Sequence, residues 1–463
     1  MTSRAAPSPS STPRLPSRPL HPGVLLTPDR PEFHPARAAW NLAVDQRPAA
    51  IGLPRTTDDV VALVRWARAE GLRVAPQATG HQASCLGPLD GSLLLKTAAL
   101  RTVRIDAQRR TARVQAGAVW QDVVGPAQTH GLAPLAGSAP DVGVVGYTLG
   151  GGLSWLSRRF GLAVNSVRSM EMVTADGAVL TVDVDNEADL FWALRGGGGS
   201  YGIVTALEFA LYPVTAVYGG ALLWPMERAE EVLVAWQLWL AQAPDELTSV
   251  ARLLRIPELP EIPPPLQGRQ MIAVEAVFIG DADAGARLLA PLCALAPEMD
   301  TFAMLTPQQL GGLHMDPPNP VPAVGDGMLL TELPATAIDN LLDVAGPYVR
   351  SPLLCVDVRH LGAAIAREHA DGGAVSSIDA EFMVFAVGMT PTPELGESVA
   401  GHVDAVRDAL SGWDTGRSFT NFAERPRSAD ELYGHAVHAR LAAIKRAYDP
   451  DDAIHANHPV APS

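Results

Sequence analysis

Two stretches built from small residues carry most of the chemistry this sequence offers. The first is Pro76-Gln77-Ala78-Thr79-Gly80-His81, continuing into Gln82. The second runs from Gly137 through Ser138, Asp141, Val142, Gly143, Gly146 and Tyr147 to Gly150, Gly151 and Gly152. Few of these side chains are bulky, so successive backbone N–H groups can approach a polyanion closely. A pyrophosphate suits such loops, because backbone donors meet its charge without Lys or Arg in a chain whose formal net charge is −15. Any one of these glycines alone reads as a turn residue with φ > 0; the clustering carries the argument. A third cluster, Gly196 to Gly202, satisfies G-x-G-x-x-G at Gly197, Gly199 and Gly202. A dinucleotide fingerprint needs a strand before that loop and a helix after it, so that the helix N-terminus meets the phosphates. Here a helix precedes and a strand follows, which rules out a Rossmann NAD site. The histidines, His435 and His438 included, supply no complete ligand set, and no metal is expected.

The elements that must hold these loops can be read from periodicity. Ala49 to Leu53 reads as a strand. A helix follows, with Thr56 and Asp59 as capping box and Val60, Val61, Leu63, Val64 and Ala67 as its apolar face. Gly71 ends it, and Arg73 to Ala75 begins the strand that leads into the first loop. Two hairpins follow, Val103–Asp106 with Ala112–Gln115, and Met170–Thr174 with Ala178–Val182, the second turned by Asp176-Gly177. A helix over Val119–Thr129 lies between them, and a short helix over Ala188–Leu194 precedes a strand over Ile203–Tyr212. Beyond Pro213 come strand-like runs at Gly219–Trp224, Ser249–Ile256, Met271–Ile279, Leu353–Val358 and Glu381–Val387. Helices are expected at Ala229–Gln242, Ala284–Leu295 and Ala429–Tyr448.

The ordered set formed by the first loop, the second loop, Leu190-Phe191-Trp192-Ala193-Leu194-Arg195 with its glycines, Tyr448-Asp449-Pro450-Asp451-Asp452 and Asn457 closely resembles the FAD-linked oxidases of the vanillyl alcohol oxidase superfamily, with a PCMH-type FAD-binding domain, in the berberine-bridge-enzyme-like branch. The resemblance is strong over Pro48–Tyr212 and good over Phe419–Asn457. It is loose over Val214–Trp413, apart from Val358-Arg359-His360-Leu361-Gly362. It implies FAD held by Gln77, Ala78, Thr79, Gly80, His81, Gln82, Ser138, Asp141, Val142, Gly143, Gly146, Tyr147, Gly150, Gly151, Gly202, Ile203, Val204 and Asn457. It also implies a covalent bond from His81 to the flavin 8α-methyl carbon, a neutral imidazole being a competent nucleophile.

Departures from the pattern matter as much. Ala139 stands where many relatives attach a cysteine to flavin C6, so a single linkage is expected. Tyr147 occupies a position relatives use to control oxygen access. Phe419-Thr420-Asn421-Phe422 matches a stretch in which plant members end on a tyrosine base, and phenylalanine accepts no proton. The remaining candidates for a base are Glu381, at the start of an apolar strand, and His360; burial against apolar surface would raise a carboxylate pKa into a useful range.

Length suits two domains, and composition a well-packed globular protein. The chain has 463 residues, 47% hydrophobic and 18% charged, and three scattered cysteines, Cys85, Cys293 and Cys355, without CxxC spacing. Disulfide scaffolds and structural zinc are not expected, and the acidity argues against nucleic acid or an anionic membrane as partner. No apolar run of about 18 residues suggests a membrane span, and the Pro-, Ser- and Arg-rich start lacks a signal-peptide core. The expected fold is α+β: a disordered tail (1–20), a two-part FAD-binding domain of small mixed sheets and helices (21–213), a substrate domain with an antiparallel sheet covered by helices (214–413), and a C-terminal segment (414–463) returning to the FAD domain. The expected activity is cytoplasmic oxidation of a C–H next to O or N in a sugar, alcohol or specialised metabolite, with hydride passing to flavin N5 and O2, or another electron acceptor, reoxidising the flavin. An O2-poor dehydrogenase and a non-redox cyclase or binding protein with structural FAD are the rivals. The expected assembly is a monomer or small homo-oligomer.

Overall fold

The computed structural model describes residues 23–260 and 262–462; the expected tail over 1–20 lies outside the described residues. Three sheets organise the chain. A four-stranded sheet runs in the order Leu25–Leu26, Ala50–Gly52, Ser92–Lys96, Arg73–Gln77, and its last three strands are parallel. The helix Thr57–Ala69 crosses over it. Its N-terminus carries the Thr56/Asp59 capping box read from the sequence, and Val60, Leu63, Val64 and Ala67 pack with Val74, Leu93, Leu95 and Ile203.

A five-stranded antiparallel sheet follows, in the order Val103–Asp106, Thr111–Gln115, Ile203–Ala210, Val167–Val173, Val179–Asp183. The third sheet has eight strands, all antiparallel, built from residues 217 to 389. Alternation along its strands sorts the two faces. Leu253, Val274, Val356, Val358 and Val384 face the helices Ala229–Leu240, Ala335–Ala345 and Pro393–Ala409 in one apolar core. The intervening Arg252, Glu275 and Asp357 are buried on the opposite face.

Two expectations need correction, and one strand is new. The strand placed at Leu353–Val358 is Cys355–His360. The single helix placed at Ala429–Tyr448 is two, Ala429–Tyr433 and His435–Tyr448, because Gly434 takes φ +73° and breaks the ladder. A strand not anticipated, Ala323–Leu330, pairs with Phe382–Met389 along its whole length. Its Gly325-Asp326-Gly327 centre lacks strand-forming side chains, and a Cβ at Gly327 would lie 2.8 Å from the Phe422 carbonyl oxygen. That glycine is a packing requirement against the C-terminal segment. The segment itself is stapled beside the five-stranded sheet by buried Lys445, whose Nζ donates to the Ser200 carbonyl at 2.8 Å and pairs with Asp449 at 2.5 Å.

Candidate active site

The loops converge on one cavity of about 310 Å³. The first loop enters from the C-terminal end of strand Arg73–Gln77. The second contributes the short helix Val144–Leu149, whose N-terminal flank, Gly143, approaches the first loop: a Cβ there would meet Ala78 Cβ at 3.0 Å. Gly198, Gly199, Gly202 and Val204 form a third side, and Thr420, Asn421, Phe422, Glu424 and Asn457 come from the C-terminal segment. The eight-stranded sheet contributes Arg359. Asn421 ties the walls together, donating to the Tyr147 carbonyl at 3.0 Å and accepting from Gly152 N at 2.9 Å. Gln82 does the same at the other end, donating to the carbonyls of Thr420 (2.5 Å) and Ala423 (2.9 Å) and accepting from Asn457 Nδ2.

His81 is held by three neighbours. Its ring stacks on Trp40, with centroids 4.2 Å apart and planes 19° from parallel. Nδ1 lies 2.8 Å from Thr79 Oγ1, and Nε2 lies 3.4 Å from Asp141 Oδ1. Trp40 Nε1 donates to the other Asp141 oxygen at 2.6 Å. Burial opposes the Asp141 charge, but the contact with His81 and the Trp40 donor outweigh it and hold the carboxyl below its ordinary range. An ionised carboxylate beside Nε2 favours the proton on that nitrogen, which leaves Nδ1 with the lone pair. The cavity wall thus carries an imidazole with a carboxylate beside one of its ring nitrogens.

The comparisons with known proteins follow the same geometry. Residues 48–183 match the FAD binding domain family. The structure superimposes on wild-type berberine-bridge-enzyme-like 1 of Physcomitrella patens with a TM-score of 0.81 at 20% identity, covering 95% of this chain and 97% of that one. This chain carries an FAD-binding domain in a berberine-bridge-enzyme-like fold. Among sequence relatives, the FAD-linked oxidoreductase YgaK of Bacillus subtilis is 32% identical, over 49% of this chain and 51% of its own. (R)-6-hydroxynicotine oxidase of Paenarthrobacter nicotinovorans is 26% identical over 95% and 97%. The cavity fits the cofactor on its own terms. An added Cβ at Gly146 or Gly199 meets nothing within 4 Å, so both stand beside space that a ligand can fill.

Of the residues expected to hold FAD, three do not line the cavity of this flavoprotein. Asp141 stands behind His81. Gly151 faces Phe419, where a Cβ would come within 2.7 Å. Ile203 points into the core beneath the four-stranded sheet, because strand alternation that turns Gly202 and Val204 inward must turn Ile203 away. The others expected, Gln77 through Gln82, Ser138, Val142, Gly143, Gly146, Tyr147, Gly150, Gly202, Val204 and Asn457, all line it.

The catalytic candidates are placed differently. His360 follows Arg359 on the strand, so it faces away from the cavity. It is buried, with Nε2 3.4 Å from Arg158 Nη1, and burial, aided by that cation, lowers its pKa to about 3. Glu381 is exposed and lines a separate cavity of about 850 Å³ on the far side of Thr420. Tyr147 does line the FAD cavity, but its hydroxyl donates to the Leu135 carbonyl at 3.1 Å, and burial keeps the phenol neutral. Neither His360 nor Glu381 reaches the cofactor cavity, and Tyr147 shapes the wall without offering a base.

Two charged residues at the cavity escaped the sequence reading, Arg359 and Glu424. Burial, reinforced by the charge of Asp326, pushes the Glu424 carboxyl up from 4.5 to about 8. Folded protein therefore holds a proton between about pH 4.5 and 8 that unfolded chain has released, and stability falls as pH rises through that window. The slope from this one group is at most about 1.4 kcal/mol per pH unit. Glu424→Gln is expected to gain thermal stability over wild type near pH 8 and to lose that advantage near pH 5. Parallel melting profiles for the two proteins would contradict the buried-acid assignment.

Proposed function

We propose that this flavoprotein is an FAD-dependent oxidoreductase that oxidises a C–H bond next to oxygen or nitrogen in a small molecule, with O2 as electron acceptor and with His81 as the single covalent tether of the cofactor. The observation that supports it best is the shared cavity. Phosphate-cradling loops, a positioned imidazole and a substrate-side wall bearing Arg359 and Phe422 meet in one space. Bound FAD supplies a two-electron acceptor at the flavin ring. The chain's own contribution is to orient that ring through His81, Tyr147 and Asn421, and to seat the substrate against the sheet. Ala139 lines the cavity where a second linkage would arise, and a methyl side chain forms none.

The test is spectroscopic. FAD-loaded protein is mixed anaerobically with a panel of sugars, secondary alcohols and cyclic amines. One member of the panel is expected to bleach the oxidised flavin band, and admitted O2 to restore it with stoichiometric H2O2. Failure of O2 to restore a bleached band would move the assignment to a dehydrogenase. A flavin that no member bleaches would favour the non-redox reading, to which Phe422 in place of a tyrosine base also points.

A further inference from the structure

Register turns four charged residues of the eight-stranded sheet toward the FAD side. Arg252 lies directly opposite Asp357 across one strand pair, and Val250 opposite both Arg359 and Glu275. Arg252 Nε donates to Asp357 Oδ1 at 2.9 Å, and its Nη1 to Glu275 Oε1 at 2.8 Å. His314 fits between the two carboxylates, with Nδ1 2.6 Å from Glu275 Oε2 and Nε2 3.0 Å from Asp357 Oδ2. Asp316, the next carboxylate along that loop, accepts from Ser138 Oγ at 2.8 Å. Arg252, Glu275, His314 and Asp357 are all buried.

Arg359 is the member of this cluster that reaches the cavity. Its Nη2 donates to Asp357 Oδ2 at 2.7 Å, beside His314 Nε2, also at 2.7 Å. Its guanidinium carbon lies 5.1 Å from the centroid of the Phe422 ring. Only 13% of the side chain is exposed, and Nε is buried without a partner. Asp357 is already met by Arg252 and His314, so Arg359 is not required to neutralise it. The cluster fixes the guanidinium from behind and leaves donor capacity at the cavity wall. A buried, unfilled guanidinium donor costs stability unless a ligand meets it. The other ionisable groups lining the cavity bring no competing anion near neutral pH. Tyr147 is a neutral phenol, Glu424 keeps its proton, and the His81 side chain carries no negative charge in either form.

We propose that Arg359 is the substrate-recognition residue of this site, and that the substrate binds as an oxyanion, either a carboxylate or an ionised acidic hydroxyl, beside the ring of Phe422. The planar guanidinium matches such a group in shape and charge. An ionised hydroxyl on the reacting carbon has already given up the proton that a base would otherwise remove, and this wall lacks a base at Phe422. The proposal rests on the oxidoreductase reading and names the substrate class for it.

Benzoate and 4-nitrophenolate serve as probes of the two oxyanion types, with benzamide as the neutral isostere. Each is titrated into FAD-loaded protein and followed by calorimetry and by perturbation of the flavin absorption band. At least one anion is expected to bind wild type, and which one binds distinguishes carboxylate from acidic hydroxyl. Arg359→Met is expected to weaken that binding roughly 30-fold, about 2 kcal/mol at 1.4 kcal/mol per tenfold. Arg359→Lys, which keeps the charge and tests a folded alternative, is expected to lose less. Benzamide should bind all three proteins alike. Unchanged anion affinity in flavin-loaded Arg359→Met would overturn the proposal, as would absence of anion binding to flavin-loaded wild type. A flavin content that collapses in both variants would overturn it too, by assigning Arg359 to the cofactor. Wild type that takes up no FAD would instead break the functional reading beneath it.

Discussion

His81→Ala is expected to release its entire flavin on acid denaturation, whereas wild type keeps a fluorescent band on a denaturing gel. The size of the effect follows from the site having one nucleophile at that end of the cavity. Thr79 is a hydrogen-bonding neighbour, Asp141 an orienting carboxylate, and Ala139 has no reactive side chain. Loss of the imidazole should leave FAD binding itself largely intact, because the loops 77–82 and 137–150 and the Gln82–Asn457 contact remain. Non-covalent flavin in His81→Ala is therefore the expected product, and it separates tether from pocket. Asp141→Asn gives a graded version: it keeps the shape and the Trp40 contact but removes the charge that favours the proton on Nε2. Slower accumulation of bound flavin is expected there, measured as covalent flavin per chain against time after adding FAD to apoprotein. If wild type already surrenders its flavin to acid, there is no bond at His81, and the stack on Trp40 is a packing arrangement.

What could be read from the sequence, and what could not, divides along a physical line. The loops were legible because backbone cradles are local. Small residues in consecutive positions are visible without knowing what faces them, and so are the Thr56/Asp59 box and the helix-then-strand order that excluded a Rossmann site. Arg359 was not legible as a site residue, because its role depends on register across three strands, which places Arg252 against Asp357, and on a loop that brings His314 in. His360 looked the better chemist from the sequence, and only strand alternation reveals that it and Arg359 must face opposite ways. The same parity separates Ile203 from Gly202 and Val204. Glu424 gave no signal at all: its raised pKa comes from burial and from Asp326, on the strand Ala323–Leu330 that two glycines had hidden. Local chemistry was readable; chemistry assembled by long-range pairing was not.

Gly146→Trp is expected to give a folded protein that takes up less than roughly a tenth of the wild-type FAD, since a site cannot hold a ligand where a side chain already sits. Gly146 lies within the helix Val144–Leu149 and lines the cavity, and a Cβ built on it meets nothing within 4 Å. The first atom of any side chain therefore costs no clash in the chain itself. Alanine there should even stabilise the helix, by up to about 1 kcal/mol, because glycine is the poorer helix former. Gly146→Ala is thus the control that adds a carbon and keeps the site. An indole continues from that carbon into the space assigned to the cofactor, so its effect should fall on FAD content and not on the melting temperature of the apoprotein. Gly152 shows the contrast. A Cβ there would lie 2.4 Å from Tyr147 Cε1 at a backbone φ of +77°, so its substitution should lower stability first and cofactor content only as a consequence. If Gly146→Trp binds FAD as wild type does, the cavity beside the helix is not the cofactor's, and the single-cavity reading of this enzyme fails with it.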